Sequence, residues 1–268
     1  TTSDREVGEG IAMIELRIDD GVAEVVLNAP ERLNALDEDA LHELSAAYGR
    51  AAEAGVRALV LRGEGRAFCA GRDISTVDPV TDDVPHYLGD VLTPLLRRMS
   101  AFPAPTFAAA RGACLGVGLG LLIATDVVYV ADDARVGSPF AALGAMLDSG
   151  GHALFYERLG AHRTLDLVYT GRLLSGAEAV AAGLFSRAFP ADEVEDAAMD
   201  AARSAATGAT AAFLASKALV ARLRDERLGL WDAVAAENAG QAALSATVDY
   251  REGFAAFQRR RAPSFQGR

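Results

Sequence analysis

The chain has 268 residues, of which 51% are hydrophobic and 24% charged, and its formal net charge is −11. This composition excludes an intrinsically disordered chain, because disorder goes with low hydrophobicity. The negative charge disfavours a nonspecific nucleic-acid binder, which needs clustered cations to displace counterions from phosphates. Two cysteines are too few for a disulfide-stapled secreted scaffold, so we expect free thiols and a cytoplasmic location.

The sequence carries no visible export or membrane signal. Residues 1–10 are polar and acidic, and they lack the basic and apolar regions of a signal peptide. The most apolar stretch, residues 113–131, is interrupted by glycines and by Asp126. That pattern favours a buried helix followed by a strand over a membrane span. We therefore expect a globular protein with no membrane partner, built as one large domain or as one domain with an appendage.

The first elements predicted along the chain are a hairpin, a helix and a strand. Residues 14–27 read as two strands joined by the turn-forming Asp19-Asp20-Gly21. Asp37 is a suitable N-cap for a helix, and Gly55 is a suitable terminator for it. A further strand is expected over residues 57–61, directly after this helix.

The middle of the chain continues the alternation of strands and helices. Strand candidates occur at 106–110 and at 126–130, with helical stretches between them. The acidic segment 78–83 contains a proline and is interpreted as a mobile surface loop. Strands thus alternate with helices over roughly residues 1–190, which is typical of an α/β fold.

The last part of the chain changes to alanine-rich helical sequence without an evident strand. The predicted helices cover residues 191–206, 209–227, 230–245 and 248–260. Their apolar surfaces exceed what separate helices could bury alone, so we expect packing on the core or on neighbouring subunits. We accordingly divide the chain into a core, residues 1–190, and a helical oligomerisation region, residues 191–268.

Three glycine-containing segments carry the candidate chemistry. They are residues 67–73, 112–120 and 143–151. Glycines 71, 116 and 118 would let the backbone approach a ligand closely, and Val117 would lie at the positive end of a helix. Each of the first two segments, taken alone, is equally an ordinary turn pattern. Asp148 places one carboxylate beside flexible backbone in the third segment.

These segments, in this order, resemble the enoyl-CoA hydratase/isomerase superfamily, also called the crotonase family. Further similar segments extend the resemblance over nearly the whole chain: residues 28–36, 63–74, 111–126, 170–175, 181–184 and 252–257. The resemblance implies a crotonase-like spiral of ββα units with a C-terminal α-helical region that forms homotrimers or hexamers. It also implies an acyl-CoA substrate, so that coenzyme A enters as part of the substrate, with no metal and no redox cofactor.

The resemblance further implies a backbone oxyanion hole. Its two N–H donors would be those of Arg72 and Val117, holding the thioester carbonyl oxygen as negative charge develops. Fixed amide dipoles in a water-poor pocket need little reorganisation, and loss of one such donor costs about 2.7–4 kcal/mol. By position, the substrate-binding residues beside these donors are Ala70, Gly71, Ile74 and Gly118.

Hydratases of this family carry two glutamates that activate water and deliver a proton. The similar positions in this chain are Gly120 and Phe140. Neither side chain can transfer a proton, so the resemblance disfavours ordinary enoyl-CoA hydration.

Asp148 aligns with an aspartate that other branches of the family use. The pattern is similar to that of 1,2-epoxyphenylacetyl-CoA isomerase-like members, through Phe140, Leu143-Gly144 and Asp148-Ser149-Gly150-Gly151. Leu147 departs from that pattern, which usually has proline there. One carboxylate can remove a proton and return it at another carbon, so we assign Asp148 to a double-bond shift. A structural N-cap of the helix that follows is the alternative for Asp148.

Two other functions stay open. A branch that resembles 4-chlorobenzoyl-CoA dehalogenase uses the aspartate as a nucleophile in hydrolysis or dehalogenation, with a tryptophan and a histidine near the ring. Here the aromatic residue is Phe140, and His86 is interpreted as a surface residue. Alternatively, the chain binds acyl-CoA without catalysis. In each case Phe140 and Leu143 would line the acyl pocket.

Other positions follow from the resemblance alone. Asp73 would help order the first oxyanion loop, with a helix cap as the alternative. Arg32, Lys217 and Arg260 match basic family positions that approach the phosphates of coenzyme A, and Arg260 would do so from a neighbouring subunit. Each of them could equally be a solvated surface cation.

Overall fold

The computed structural model of the chain describes residues 12–75 and 77–268. The polar start, residues 1–10, lies outside the described residues. The strands are β1 (Ile14–Asp19), β2 (Val22–Leu27), β3 (Ala58–Gly63), β4 (Thr106–Ala110), β5 (Ala113–Leu115), β6 (Val127–Ala131), β7 (Arg135–Gly137), β8 (Leu174–Ser175) and β9 (Arg187–Phe189). The α-helices are α1 (Glu38–Glu53), α2 (Thr93–Ser100), α3 (Val117–Ile123), α4 (Gly151–Thr170), α5 (Gly176–Ala181), α6 (Val194–Ala206), α7 (Thr210–Asp225), α8 (Leu230–Leu244) and α9 (Val248–Gln258). Short 3₁₀ turns cover Pro30–Arg32 and Phe140–Leu143, and a π-helix covers His86–Leu92.

The strands form two sheets between which the chain alternates. The larger sheet has the order β1-β2-β3-β4-β6-β9, with an antiparallel β1–β2 hairpin and parallel pairs elsewhere. The smaller sheet has the order β5-β7-β8. Along the chain, β4 joins the larger sheet, β5 joins the smaller sheet, and helix α3 follows. The next three elements repeat this order, since β6 joins the larger sheet, β7 joins the smaller sheet, and helix α4 follows. The repetition produces the spiral of ββα units, so the predicted fold class is confirmed.

Local sequence signals explain why the first elements form where they do. The Asp37 carboxylate accepts a hydrogen bond from the Ala40 N–H at 2.9 Å and caps α1. α1 buries one face with the three- and four-residue spacing of an amphipathic helix, through Ala40, Leu41, Leu44, Ala47, Tyr48 and Ala51. The predicted hairpin is confirmed too, since Ile14 pairs with Leu27 and Asp19 with Val22.

The parallel strands are buried on both faces. One face belongs to the main core with α1, and the other packs against α6 through Val194, Ala198, Ala202 and Ala206. Parallel sheets covered on both sides need continuous apolar strands, and β3 is buried at every position. α6 therefore shares a core with the strands, although it lies beyond residue 190. The boundary at that residue stays a prediction.

The four predicted C-terminal helices are observed as α6 to α9. Within the described residues, no single helix has both the length and the hydropathy to cross a bilayer. Helices α6 and α7 meet the length and hydropathy criteria only when they are taken together, and they are bent by 113° relative to each other.

The chain end is attached to the start of α9 by a buried carboxylate. Asp249 is 2% exposed and accepts hydrogen bonds from the Gln266 and Gly267 N–H groups, both at 2.7 Å. Its own N–H donates to the Arg268 carbonyl oxygen at 3.0 Å. The Arg57 guanidinium donates to the Phe265 carbonyl oxygen and so ties this tail to the residue before β3.

We expect Asp249→Ala to lower the free energy of unfolding by about 1–3 kcal/mol, because two backbone N–H groups lose their buried acceptor. Urea unfolding measures the loss, and hydrogen exchange should report lost protection at residues 266 and 267. Asp200→Ala is the matched control, because the Asp200 side chain is 78% exposed. Unchanged protection at both amides in Asp249→Ala would contradict this account of the chain end.

Candidate active site

The two glycine-containing loops of the predicted site lie side by side because the residues before them pair. Phe68 N–H donates to the Arg111 carbonyl oxygen at 2.7 Å, and Cys69 N–H donates to the Ala113 carbonyl oxygen at 2.9 Å. Leu115 N–H returns a bond to the Cys69 carbonyl oxygen at 3.0 Å. This parallel ladder fixes the register in which the two chain segments enter the site.

Gly71 and Gly116 face each other directly beyond this ladder. A Cβ atom at Gly71 would lie 3.0 Å from the Leu115 carbonyl oxygen and 3.7 Å from the Gly116 Cα. Both residues have positive φ, +105° and +54°, a conformation that residues with a side chain rarely adopt. Only glycine therefore allows the two backbones to approach this closely.

Arg72 and Val117 directly follow these two glycines in the chain. The Leu36 N–H donates to the Gly71 carbonyl oxygen at 2.8 Å, and the Asp73 N–H donates to the Leu36 carbonyl oxygen at 2.9 Å. These bonds pin the backbone on both sides of Arg72. Val117 is the first residue of α3. Across residues 12–75 and 77–268, no protein group accepts a hydrogen bond from either N–H, as an oxyanion hole requires. That role stays a prediction.

Helix α3 packs directly on the first loop. A Cβ atom at Gly118 would lie 2.6 Å from the Cys69 carbonyl oxygen, so the close approach depends on this glycine. Burial raises the pKa of the Cys69 thiol to about 12, which keeps it protonated as a packing group. Phe140 lies on the other side, where its Cζ would be 3.0 Å from a Cβ at Gly116. The half-buried Phe140 thus covers the second loop.

The third segment reaches the site through Ser149. A Cβ atom at Gly120 would lie 2.5 Å from the Ser149 Cβ, so helix α3 and Ser149 are in tight contact. Ser149 has a φ of +54°, and its hydroxyl donates to Oδ1 of the preceding Asp148 at 2.7 Å, so Asp148 lies next to this contact. Gly120, which by resemblance matches a hydratase glutamate, therefore carries no acid, and Ser149 leaves no space for a side chain there.

Asp148 is half-buried, and its surroundings act on its pKa in opposite directions. Burial has the larger effect and raises the pKa of this carboxyl group. The Ser149 hydroxyl, which donates to Asp148 Oδ1 at 2.7 Å, and the Arg72 charge lower it. The net shift is upward, which favours a carboxyl group that exchanges protons.

The alternative interpretation of Asp148 as a helix N-cap is wrong. The N-cap of α4 is Gly150, and no side chain caps that helix. Ser149 and Gly150 both have positive φ, so the helix begins two residues too late for the Asp148 side chain to reach its first N–H groups.

The side chain of Arg72 forms part of the site, a contact that the sequence analysis did not anticipate. Its guanidinium donates to both carboxylate oxygens of Asp82, at 2.8 and 2.6 Å, and lies 4.0 Å from the Tyr87 ring centroid. Buried Tyr87, on the π-helix, donates its hydroxyl to the Leu36 carbonyl oxygen at 3.3 Å. Burial raises the pKa of Tyr87, and the Asp148 charge adds to this effect.

The segment 78–83 was predicted as a mobile surface loop, and the structure confirms its surface position. Val80 is 89% exposed. Asp82, however, turns inward to Arg72, and that ion pair lowers the pKa of the Asp82 carboxyl group. No residue type in the acidic run distinguishes Asp82 from its neighbours, so only the fold identifies the pair.

Asp73 orders the first loop by two sets of contacts. Its Oδ2 accepts from the Arg32 guanidinium at 3.0 Å, and its Oδ1 accepts from the Ser75 N–H and hydroxyl at 3.0 and 2.6 Å. The alternative role as a helix cap is wrong, since no helix begins in residues 73–75 or 77–83. Half-buried Ala70 and half-exposed Ile74 flank this arrangement.

Other positions taken from the resemblance lie on the surface or anchor other elements. Lys217 donates to the Asp126 carboxylate at 2.9 Å and to the Phe102 carbonyl oxygen at 3.0 Å, and so anchors α7. Exposed Arg260 follows α9, and Leu143 is 60% exposed. Among the described hydrogen bonds and ion pairs, none connects Arg260 to the two glycine-containing loops. His86 lies on the surface as predicted and pairs with Glu38 and Asp90.

A cavity of about 400 Å³ lies away from these loops, between α7, α8 and α9. Its largely apolar lining includes Leu244, Tyr250, Phe254, Phe257 and Phe265. The arrangement of N–H groups and carboxylate around Asp148, rather than cavity size, therefore identifies the candidate active site.

Comparison with known proteins identifies relatives over nearly the whole chain. Residues 17–268 match the family described as Enoyl-CoA hydratase/isomerase. A protein named probable enoyl-CoA hydratase from Rhodobacter capsulatus is 35% identical, with 95% of this chain and 98% of the relative covered. The 1,2-epoxyphenylacetyl-CoA isomerase of Escherichia coli is 30% identical, with 94% and 97% covered.

Solved structures agree with this result. An enoyl-CoA hydratase from Bacillus anthracis has a TM-score of 0.87 and 27% identity, with 96% of this chain and all (100%) of that chain covered. Hydratase names are the more frequent among the similar relatives. The names therefore support the family and leave the choice between hydratase and isomerase to the residues of the site.

We expect Gly120→Ala to destabilise the protein, because the new Cβ would lie 2.5 Å from the Ser149 Cβ. Such overpacking costs about 1–3 kcal/mol, and the better helix propensity of alanine recovers at most about 1 kcal/mol. Urea unfolding measures the change. Ser149→Gly in the same background should relieve the clash, so an equal cost of Gly120→Ala with and without Ser149 would refute the contact.

Proposed function

The chain belongs to the enoyl-CoA hydratase/isomerase family, and we propose that it is an acyl-CoA isomerase in which Asp148 is the single acid and base. The reaction would be a double-bond shift in an enoyl-CoA or a rearrangement of the epoxyphenylacetyl-CoA type. One observation carries the proposal. The half-buried Asp148 carboxyl group accepts a hydrogen bond from Ser149, which packs on α3, while Gly120 and Phe140 offer no second proton-transferring side chain.

The proposed mechanism begins with the thioester carbonyl. The Arg72 and Val117 N–H groups donate to its oxygen, and their alignment stabilises the negative charge that develops there. The Asp148 carboxylate removes a proton from the carbon next to the carbonyl, and the electron pair moves into a dienolate. The protonated Asp148 then returns the proton to a different carbon, and the carbonyl reforms. The step uses no metal and no redox cofactor, and coenzyme A enters as part of the substrate.

The close contact between Gly120 and Ser149 supports this choice over hydration. Hydration needs one group to activate water and another to deliver a proton. A side chain at position 120 would collide with Ser149, which itself donates a hydrogen bond to Asp148. Ser149 therefore hydrogen-bonds to the Asp148 carboxylate and also fills the space that a second acidic side chain, at position 120, would need.

The alternative with Asp148 as a nucleophile receives less support. By resemblance, that chemistry also uses a histidine near the acyl ring. His86 lies on the surface, where it contacts Glu38 at 3.2 Å and Asp90 at 3.3 Å. Incorporation of solvent ¹⁸O into the product, or a trapped acyl-aspartate, would nevertheless identify this chemistry if it occurs.

We further propose that the chain assembles as a homotrimer or hexamer. Apolar side chains of the C-terminal helices are left uncovered in the single chain, with Val220 64%, Leu230 70% and Trp231 78% exposed. Large exposed apolar surfaces of this kind mark interaction sites. Light scattering at several protein concentrations measures the assembly. The cytoplasmic location expected from the sequence stays a prediction.

We expect Asp148→Asn to reduce turnover of a 3-enoyl-CoA to its conjugated isomer by roughly 10²–10⁴-fold, because the amide cannot shuttle a proton. Absorbance follows the conjugation, and mass spectrometry in deuterated water detects exchange at the reacting carbons. Asp90→Asn is the control, because the Asp90 side chain is 77% exposed. Tight binding without turnover in the unmodified protein would reject isomerisation of simple enoyl-CoAs and favour a ring substrate or an acyl-CoA binder.

We expect kcat/KM to rise with pH through the pKa of Asp148, because only the ionised carboxylate can remove the proton. Burial raises this pKa, so activity should be lost on acidification at a higher pH than an exposed aspartate would give. The Ser149 hydroxyl opposes the shift by stabilising the carboxylate. Ser149→Ala should therefore move the acidic limb to still higher pH. A limb that stays in place, or moves to lower pH, would contradict the assignment of that limb to Asp148.

A further inference from the structure

Gly116, between β5 and α3, donates its N–H to two acceptors that belong to one segment. The bonds go to the Gly137 carbonyl oxygen at 3.1 Å and to the Ser138 Oγ at 3.2 Å. The first continues the parallel pairing of β5 with β7, in which Leu115 pairs with Gly137. The second is made by a side chain, directly after β7 ends. One N–H is therefore shared between strand pairing and a hydroxyl group.

Gly116 needs support from outside because it has no side chain of its own to provide it. It is the N-cap residue of α3, with φ +54° and ψ −118°. Serine, threonine, aspartate and asparagine at an N-cap bond to the first turn of their own helix, which glycine cannot do. Glycine also has the widest choice of backbone angles. Its neighbours must therefore set the direction of the chain at this residue.

The peptide unit between Gly116 and Val117 is held at its other end by α3. The Gly116 carbonyl oxygen accepts the Gly120 N–H at 3.1 Å. Because a peptide unit is planar, the direction of this carbonyl group sets the direction of the Val117 N–H on its opposite side. A change in the backbone angles of Gly116 therefore turns the Val117 N–H. Ser138 acts on those angles through its bond to the Gly116 N–H.

The two glycine-containing loops differ in the kind of group that supports them. Backbone bonds to Leu36, at 2.8 and 2.9 Å, fix the chain on both sides of Arg72. Beside Gly116, a hydroxyl group supplies part of the support. A substitution at Ser138 can therefore loosen the second N–H donor and leave the first in place.

We propose that Ser138 is a positioning residue for the oxyanion hole, with its hydroxyl oxygen holding Gly116 so that the Val117 N–H stays directed at the thioester oxygen. This inference rests on the proposed function, because the donor role of Val117 is part of it. Loss of the hydroxyl leaves the Gly137 bond in place, so the loop stays closed while the donor is less well directed. Because the charge on the oxygen is largest in the transition state, the loss acts on turnover more than on binding.

The test compares Ser138→Ala and Ser138→Cys with a matched control in the full chain. Alanine removes the acceptor, and the cysteine sulfur is a weak acceptor on a side chain of nearly the same shape. Ser186→Ala is the control, because the Ser186 Oγ accepts the N–H of Val128, in β6, at the same distance of 3.2 Å. The control thus removes a bond of the same kind and length in the larger sheet.

Infrared difference spectra of bound butyryl-CoA, with and without ¹³C at the thioester carbonyl, measure how strongly that carbonyl is polarised. This saturated thioester cannot undergo a double-bond shift. Its carbonyl band should move to lower frequency on the unmodified protein and on Ser186→Ala, less on Ser138→Cys, and least on Ser138→Ala. With a 3-enoyl-CoA, kcat should fall roughly 3–10-fold in Ser138→Ala, as expected for one neutral hydrogen bond, with KM nearly unchanged.

The outcomes distinguish a failure of this inference from a failure of the proposed function. Equal carbonyl shifts on the unmodified protein and on both Ser138 variants overturn the inference and leave the oxyanion hole intact. Equal losses in Ser138→Ala and Ser186→Ala also overturn it, because the effect would then be a general one on the fold. No shift on the unmodified protein contradicts the oxyanion hole itself, and the inference with it. The spectra need no turnover, and Ser138→Cys keeps the test decisive should Ser138→Ala fail to fold.

Discussion

The parallel pairing of residues 68–69 with residues 111–115 is the constraint on which the rest of the site depends. It brings together two chain segments that are more than 40 positions apart, so closely that a Cβ atom on Gly71 would lie 3.0 Å from the Leu115 carbonyl oxygen and 3.7 Å from the Gly116 Cα. Because this approach is set by backbone hydrogen bonds inside the core, the two N–H groups that follow are fixed before any ligand arrives. Donors that are fixed in advance need no reorganisation when charge develops, which is what the proposed oxyanion hole requires.

A second glycine contact decides which side chains can join these donors. Gly118 lets α3 rest on Cys69, and Gly120 lets Ser149 rest on α3. The contact of Gly118 with Cys69 sets the position of α3, and the contact of Gly120 with Ser149 packs the turn that carries Asp148 against α3. The same Ser149 that donates a hydrogen bond to Asp148 therefore removes the space for an acid on α3. Family membership alone leaves hydratase and isomerase open, whereas this packing favours one proton-transferring group over two.

Signals that act within a few residues allowed much of the fold to be predicted from sequence. The Asp37 cap, the hairpin at residues 14–27 and the strand Thr106–Ala110 depend on local capping, turn chemistry and alternation, and the structure has them where expected. Asp148 was ambiguous, because a cap and a catalytic carboxyl group look alike until Ser149 and Gly150 are seen to delay the helix. The pair of Arg72 with Asp82 could not be predicted, since nothing local selects one acid from the run 78–83.

The balance at Asp148 determines what the proposed site can do. A carboxyl group that is only buried would stay protonated and could donate but not accept, while an exposed one would be a weak base. Burial here raises the pKa, and Ser149 and Arg72 limit that rise. A proton shuttle needs this intermediate state, because the same group must first take the proton and then return it.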